Sequence, residues 1–184
     1  MERLAEKISQ KIKIHHKIYS LPVYGELWEE ILHNSFIDLG YLSYWKPNRS
    51  HGTGKDITHE KFGKISCKSG IYHIKNKTVM ISGSRTSKHK TLYDKLSFLS
   101  NDHDDHYFCL SRNKKEWENG NKKYYFFTFS SNILDYKNKK WIPTNNGWKF
   151  EDKYISGKIL NSASGQLWTT INVNLIGEPF IIKV

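Results

Sequence analysis

The chain has 184 residues, with 29 Lys and Arg against 18 Asp and Glu, for a formal net charge of +11. That length suits one domain with a real core, and 38% hydrophobic with 14% aromatic residues excludes a disordered chain. No apolar run approaches the roughly 20 residues that a bilayer-spanning helix needs, so no membrane partner is expected. The opening Met1-Glu2-Arg3-Leu4-Ala5-Glu6-Lys7 mixes charges without an apolar signal core. Cys67 and Cys109 stand far apart, which gives no disulfide framework and suits a cytoplasmic protein. The charge favours a polyanionic partner, because each phosphate contact releases counterions. Nearly all of it is Lys, however, a bias that AT-rich coding produces by itself. The scarce arginines, Arg3, Arg49, Arg85 and Arg112, are the more informative cations.

In chain order, the pattern predicts a helix over about Glu2 to Tyr19, with Leu4, Ile8, Ile12 and Ile18 among its apolar positions. Residues 1–20 are expected to serve dimerisation or DNA contact. Pro22 suits a first helical turn, so a second helix is predicted from about Val23 to Leu39, stopped by Gly40. Leu27, Trp28, Ile31, Leu32 and Phe36 form its stripe. A turn-rich loop from Lys46 to Gly54 follows. Asp56–His59 and Lys64–Lys68 read as two strands joined at a tight Gly63 turn, and Thr78–Ile81 as another strand. Thr91-Leu92-Tyr93-Asp94 opens a short helix with a capping-box pattern, ending near Asn101. Strands are then expected at Tyr107–Ser111, Tyr124–Ser130, Gly147–Ile155 and Phe180–Ile182. No repeat, linker or low-complexity tract divides the chain, so 1–184 is expected to be a single domain.

Chemistry concentrates in Gly54-Lys55-Asp56-Ile57 and Ile65-Ser66-Cys67-Lys68-Ser69-Gly70. If the hairpin folds about Lys61-Phe62, Asp56 comes opposite Ser66 to Lys68. Alternation then sends Ile65 and Cys67 to one face and Ser66 and Lys68 to the other. An acid and a Lys on one polar face suit a divalent cation and an attacking water beside a phosphate.

The order Gly25-x-x-x-Glu29, Gly40-Tyr41, Gly54-x-Asp56-Ile57 and Ile65-Ser66-x-Lys68 resembles the PD-(D/E)XK nuclease superfamily, and type II restriction endonucleases within it. The resemblance covers roughly Gly25 to Leu99. It implies an α/β restriction-endonuclease-like core, a central mixed β-sheet flanked by helices, here with a strand-rich C-terminal half. It also implies Mg²⁺ dependence, a homodimer on double-stranded DNA and a prokaryotic cytoplasm. By position, Asp56 is the metal-binding aspartate, Lys68 the catalytic lysine, and Glu29 the helix acid that joins the site. Ser66 departs from the pattern, standing where the second acid belongs, and a hydroxyl is a poorer Mg²⁺ ligand than a carboxylate. Glu29 or Glu30 are the leading substitutes, with Glu60 a weaker one near the hairpin tip. The rivals are a DNA-binding protein on a decayed nuclease fold and a nuclease that reads branched DNA by shape.

Two segments suit DNA. Ser82-Gly83-Ser84-Arg85-Thr86-Ser87-Lys88-His89-Lys90 combines hydroxyls, a rare Arg and several bases, which fits Arg85 for guanine N7/O6 and the hydroxyls, Lys88 and Lys90 for phosphates. Arg49, Ser50, His51 and Lys55, ahead of Asp56, suit the backbone near the scissile phosphate, as does Ser69 after Lys68. Gly165-Gln166-Leu167-Trp168 is similar to a late element of some restriction enzymes, where the Gln reads a base, although Leu167 and Trp168 are more often core. His103-Asp104-Asp105-His106 reads as a solvated turn rather than a metal site. Gly70-Ile71-Tyr72 lacks the partner motif of a GIY-YIG nuclease. No Gly-x-x-x-x-Gly-Lys loop is present, so no nucleotide cofactor is expected. Cys67 is expected to face the core with an inert thiol.

Overall fold

A computed structural model describes residues 1–45, 56–101, 104–162 and 164–184. Helix α1 (Glu2–Ile18) buries Leu4, Ala5, Ile8 and Ile12, a stripe at helical spacing. Ile18 is 72% exposed, because six residues beyond Ile12 the helix has turned about 240° off that stripe. Helix α2 (Glu26–Asp38) starts three residues later than the sequence pattern predicts. Val23 is instead pinned by its N–H to the Tyr124 hydroxyl (2.8 Å), and Gly25 sits at φ 57°, outside helical geometry. The α2 stripe buries Trp28, Ile31, Leu32 and Phe36.

The strands are β1 (Ser43–Trp45), β2 (Ile57–His59), β3 (Gly63–His73), β4 (Thr78–Arg85), β5 (His106–Arg112), β6 (Lys123–Ser130), β7 (Ile142–Thr144), β8 (Gly147–Glu151), β9 (Ile155–Leu160), β10 (Gln166–Asn172) and β11 (Phe180–Lys183). They form one mixed sheet in the order β11-β6-β5-β3-β4-β10-β9-β8-β7, with β1 joined through β2 to β3. Among the described pairs only β3 with β5 is parallel. That crossover passes through β4 and helix α3 (Leu92–Asn101), as a parallel pair requires a long connection. The capping box at its start forms as the sequence predicts: Asp94 N–H donates to Thr91 Oγ1 (3.1 Å) and Thr91 N–H to Asp94 Oδ2 (3.3 Å). Short helices α4 (Lys114–Glu118) and α5 (Val173–Ile176) link later strands.

Each sheet face has its own core. Helices α1 and α2 pack on Ile57, Ile65, Cys67, Phe108, Leu110, Tyr124 and Phe126. On the other face Leu99 of α3 and Tyr136 pack on Tyr72, Ile81, Cys109, Tyr125, Phe127 and side chains from β8 to β10. Strand β6 alternates between these cores, which is why Tyr124 through Phe127 are all buried.

One predicted strand divides. Gly147–Ile155 does not run through; Asp152 turns the chain between β8 and β9, its N–H on Ile155 O (2.9 Å) and its carboxylate on Lys153 N–H (2.8 Å). Other strands are longer than predicted, because neighbours supply ladder partners that the local pattern does not reveal. Among the described residues, no helix is long and apolar enough to cross a membrane.

Candidate active site at a fork in the sheet

The β2–β3 hairpin turns where the sequence places it. The His59 ring accepts Lys61 N–H (3.0 Å) and Phe62 N–H (3.2 Å), and Gly63 follows at φ 66°. Ile57 pairs with Ile65, so Asp56 stands opposite Ser66. Strand β3 then changes partner on that edge. It pairs with β2 at residues 63–65 and with β4 at residues 70–73. Between them Ser66 to Ser69 have no strand partner on that side among the described residues, so the sheet forks. Gly70 closes the fork: a Cβ there would stand 2.7 Å from both Met80 O and Ser111 Oγ.

Asp56 sits in this fork. Its Oδ2 accepts the Cys67 N–H at 2.7 Å and lies 3.5 Å from Ser66 Oγ. The carboxylate thus satisfies a backbone donor that the missing ladder leaves unpaired. Burial raises the Asp56 pKa above the ordinary carboxylate range, while the Lys68 charge, the Cys67 N–H and Ser66 oppose the rise. Lys68 is partly exposed and makes no ion pair or hydrogen bond among the described residues. Glu29 approaches from α2, its Oε2 accepting Trp45 Nε1–H at 3.2 Å. Burial raises its pKa, and the Asp56 charge adds to the rise. The Asp56 charge thus reaches Glu29. The expected alternation holds: Ile65 and Cys67 join the helix-side core, and burial lifts the Cys67 thiol well above its usual range, leaving it inert.

Several candidate residues take other roles. Ser66 is only 1% exposed and supports Asp56 instead of facing solvent. The Ser69 hydroxyl is buried without a partner among the described residues, in register with Leu110, so a DNA contact is corrected there. Thr86 is fully buried; its hydroxyl donates to Gly165 O (2.6 Å), and Lys95 Nζ donates to Thr86 O (2.8 Å) and to His89 O. It anchors its segment and cannot touch DNA, a second correction. Ser82, Ser84 and Arg85 belong to β4 rather than to a loop, with Gly83 and Ser84 bulged opposite Leu167. Arg85, Lys88 and Lys90 are exposed and make no ion pair among the described residues. Gln166 donates its amide to Gly83 O (2.9 Å), and Leu167 is core. Arg49, Ser50, His51 and Lys55 lie outside the described residues.

The Asp104-Asp105 turn is solvated at Asp105, as expected, but not at Asp104. Asp104 is 5% exposed, and Asp105 grips Lys64 through both its N–H and its carboxylate, each at 2.7 Å. It clamps the hairpin that carries Asp56. The sequence reading also missed Trp45 and Lys95; a lone indole or lysine becomes informative only when its partner is known.

Two part-buried carboxyls of raised pKa supply the oxygen ligands that suit a hard divalent cation, since Mg²⁺ keeps several waters and takes only one or two carboxylates. No group of three or more His, Cys, Asp and Glu side chains assembles for a metal among the described residues. Compared with protein-family models, curated proteins and solved structures, the chain matches none.

Proposed function

We propose that this protein is a Mg²⁺-dependent endonuclease that hydrolyses double-stranded DNA at a short specific sequence, in the manner of a type II restriction enzyme. The observation that carries this reading is Lys68, without a hydrogen bond or ion pair among the described residues, beside the buried Asp56 carboxylate, where β3 has no strand partner on the β2/β4 side among the described residues. An in-line hydrolysis has two tasks for such an ammonium: orienting water and countering charge on the phosphoryl oxygens. Asp56 and Glu29 would hold Mg²⁺, which when bound polarises the phosphate and activates water. The Cys67 N–H fixes the direction of the Asp56 carboxylate, and Trp45 does the same for Glu29. Exposed Arg85, Lys88 and Lys90, on a segment anchored through Thr86 and Lys95, suit groove and phosphate contacts. We further propose a homodimer in a prokaryotic cytoplasm, one site per strand of a palindromic target.

One observation favours a second reading. Ser66 occupies the position of the second acid, which fits a decayed nuclease that still binds DNA. Plasmid cleavage with Mg²⁺ separates the readings. Discrete fragments, lost in Asp56→Ala and Lys68→Ala, support restriction. Binding without cutting supports the decayed form, and cutting confined to branched DNA supports a shape-reading nuclease.

A further inference from the structure

Strand β11 is the outer strand of the sheet and pairs only with β6 among the described residues. Its free edge has a fixed hydrogen-bonding pattern. Val184 N–H donates to Lys122 O (3.1 Å), so by antiparallel alternation residues 180, 182 and 184 bond to the β6 side. Ile181 and Lys183 therefore turn their N–H and C=O groups outward, where no described residue bonds to them. Ile181 is 57% exposed. Such an edge is a template for another strand.

Helix α1 flanks this edge. Glu2, Glu6, Ser9 and Lys13 line a groove of about 550 Å³ with Ile181 and Ile182. Lys17 continues the same stripe at helical spacing. The stripe is divided by charge, two acids and then two lysines, none of them in an ion pair among the described residues. Within one helix this sets like charges at i and i+4, Glu2 with Glu6 and Lys13 with Lys17, which is destabilising. The helix dipole favours Glu2 and Lys17 in the end turns, but Glu6 and Lys13 stand beyond its reach. Turned end for end, the stripe is its own complement. About a centre between Ser9 and Gln10, Glu6 meets Lys13 of a second helix and Glu2 meets Lys17.

We infer that β11 and α1 form a two-fold interface with a second copy of this chain. The inference rests on the homodimer of the proposed function for the number of copies alone; strand pattern and charge pattern assign the surface. Strand β11 pairs antiparallel with its copy about Ile182, so that Ile181 exchanges both its outward backbone bonds with Lys183 of the second copy. Centring on Ile181 instead would set Lys183 against Pro179, which has no N–H to give. The axis of an antiparallel strand pair is normal to the sheet. It therefore keeps both copies of α1 on one side, stripe to stripe, and both forks on the same side of the joined sheet.

Sedimentation equilibrium of the full chain, without DNA or Mg²⁺, tests this. Wild type should be a dimer at micromolar concentration. Ile181→Pro removes an outward N–H and spares the β6 ladder, so it should give a monomer with wild-type circular dichroism. Glu6→Lys and Lys13→Glu should each weaken dimerisation about tenfold at low salt, since each reverses two pairs across the axis. Their opposite changes in net charge then act alike. Glu6→Lys/Lys13→Glu swaps the charges and should recover the wild-type affinity. If Ile181→Pro does not fold, the charge variants decide alone. A monomeric wild type would overturn the inference, as would undiminished dimerisation in a folded Ile181→Pro or in both single reversals. Failure of the swapped variant to recover would overturn it too. A dimer that cuts no DNA keeps this inference and sinks the nuclease reading, and a monomer that cuts DNA does the reverse.

Discussion

The carboxylate of Asp56 closes on the backbone N–H of Cys67, at 2.7 Å, where β3 has left β2 and not yet met β4. An aspartate thus stands in for a missing strand, and this ties the fold of the hairpin to the chemistry of the fork. The contact separates two roles of Asp56. Asp56→Asn keeps an acceptor for Cys67 and should remain folded yet lose metal-dependent cleavage. Asp56→Ala leaves that donor unpaired and should cost about 1–3 kcal/mol in urea unfolding. Equal stability of the two variants would show that the bond does not hold the hairpin.

The pH dependence has a definite sign. Asp56 and Glu29 both have folded-state pKa values raised by burial. At low pH, where folded and unfolded forms are both protonated, these groups cost nothing. As pH climbs through the ordinary carboxylate range near 4, the unfolded chain ionises first and the native state loses stability until its own raised pKa values are passed. Asp56→Asn should therefore raise the melting temperature at pH 7 but not at pH 3. A rise of roughly 2–4 °C marks about 1 kcal/mol in a chain of this length. Thermal unfolding at both pH values checks it.

Mg²⁺ should offset the same cost. Millimolar Mg²⁺ is expected to raise the wild-type melting temperature at pH 7 and to leave the Asp56→Asn/Glu29→Gln double variant unmoved. Trp45→Phe, which removes the N–H on Glu29, should shift the Mg²⁺ midpoint for cleavage upward about 10-fold with little change in the saturated rate. An unchanged midpoint would remove Glu29 from the site and turn attention to Glu30.

Lys68 makes no hydrogen bond or ion pair among the described residues, so its removal should cost the fold little beyond the charge it sets against Asp56. Lys68→Ala is expected to lower the cleavage rate by about 10²–10⁴ with an unfolding midpoint close to wild type. Measurable cutting at the wild-type rate would exclude Lys68 from the chemistry.

Lys95 should matter as much to stability as Lys68 matters to catalysis. It is 6% exposed and holds the backbone of Thr86 and His89. Lys95→Met leaves those carbonyls unsatisfied and should cost about 1–3 kcal/mol, with faster hydrogen exchange at residues 86–90.

Much of this protein is written in local pattern. Leu4, Ile8 and Ile12 mark the α1 stripe, Thr91 and Asp94 spell out their own cap, and Ile65 and Cys67 alternate with Ser66 and Lys68 as strand geometry demands. These features depend on neighbours a few residues away, so the sequence by itself determined them, along with the charge and the pairing of Asp56 with β3. Tertiary structure decided the rest. Thr86 looks like a free hydroxyl until Gly165 and Lys95 close on it, from 79 and nine residues away. Lys149 and Lys158 look like ordinary lysines until the β8–β9 register sets them opposite one another. The fork exists only because β3 pairs with β2 at one end and β4 at the other. Periodicity tells a side chain which way to face, but only long-range register tells it what it will meet there.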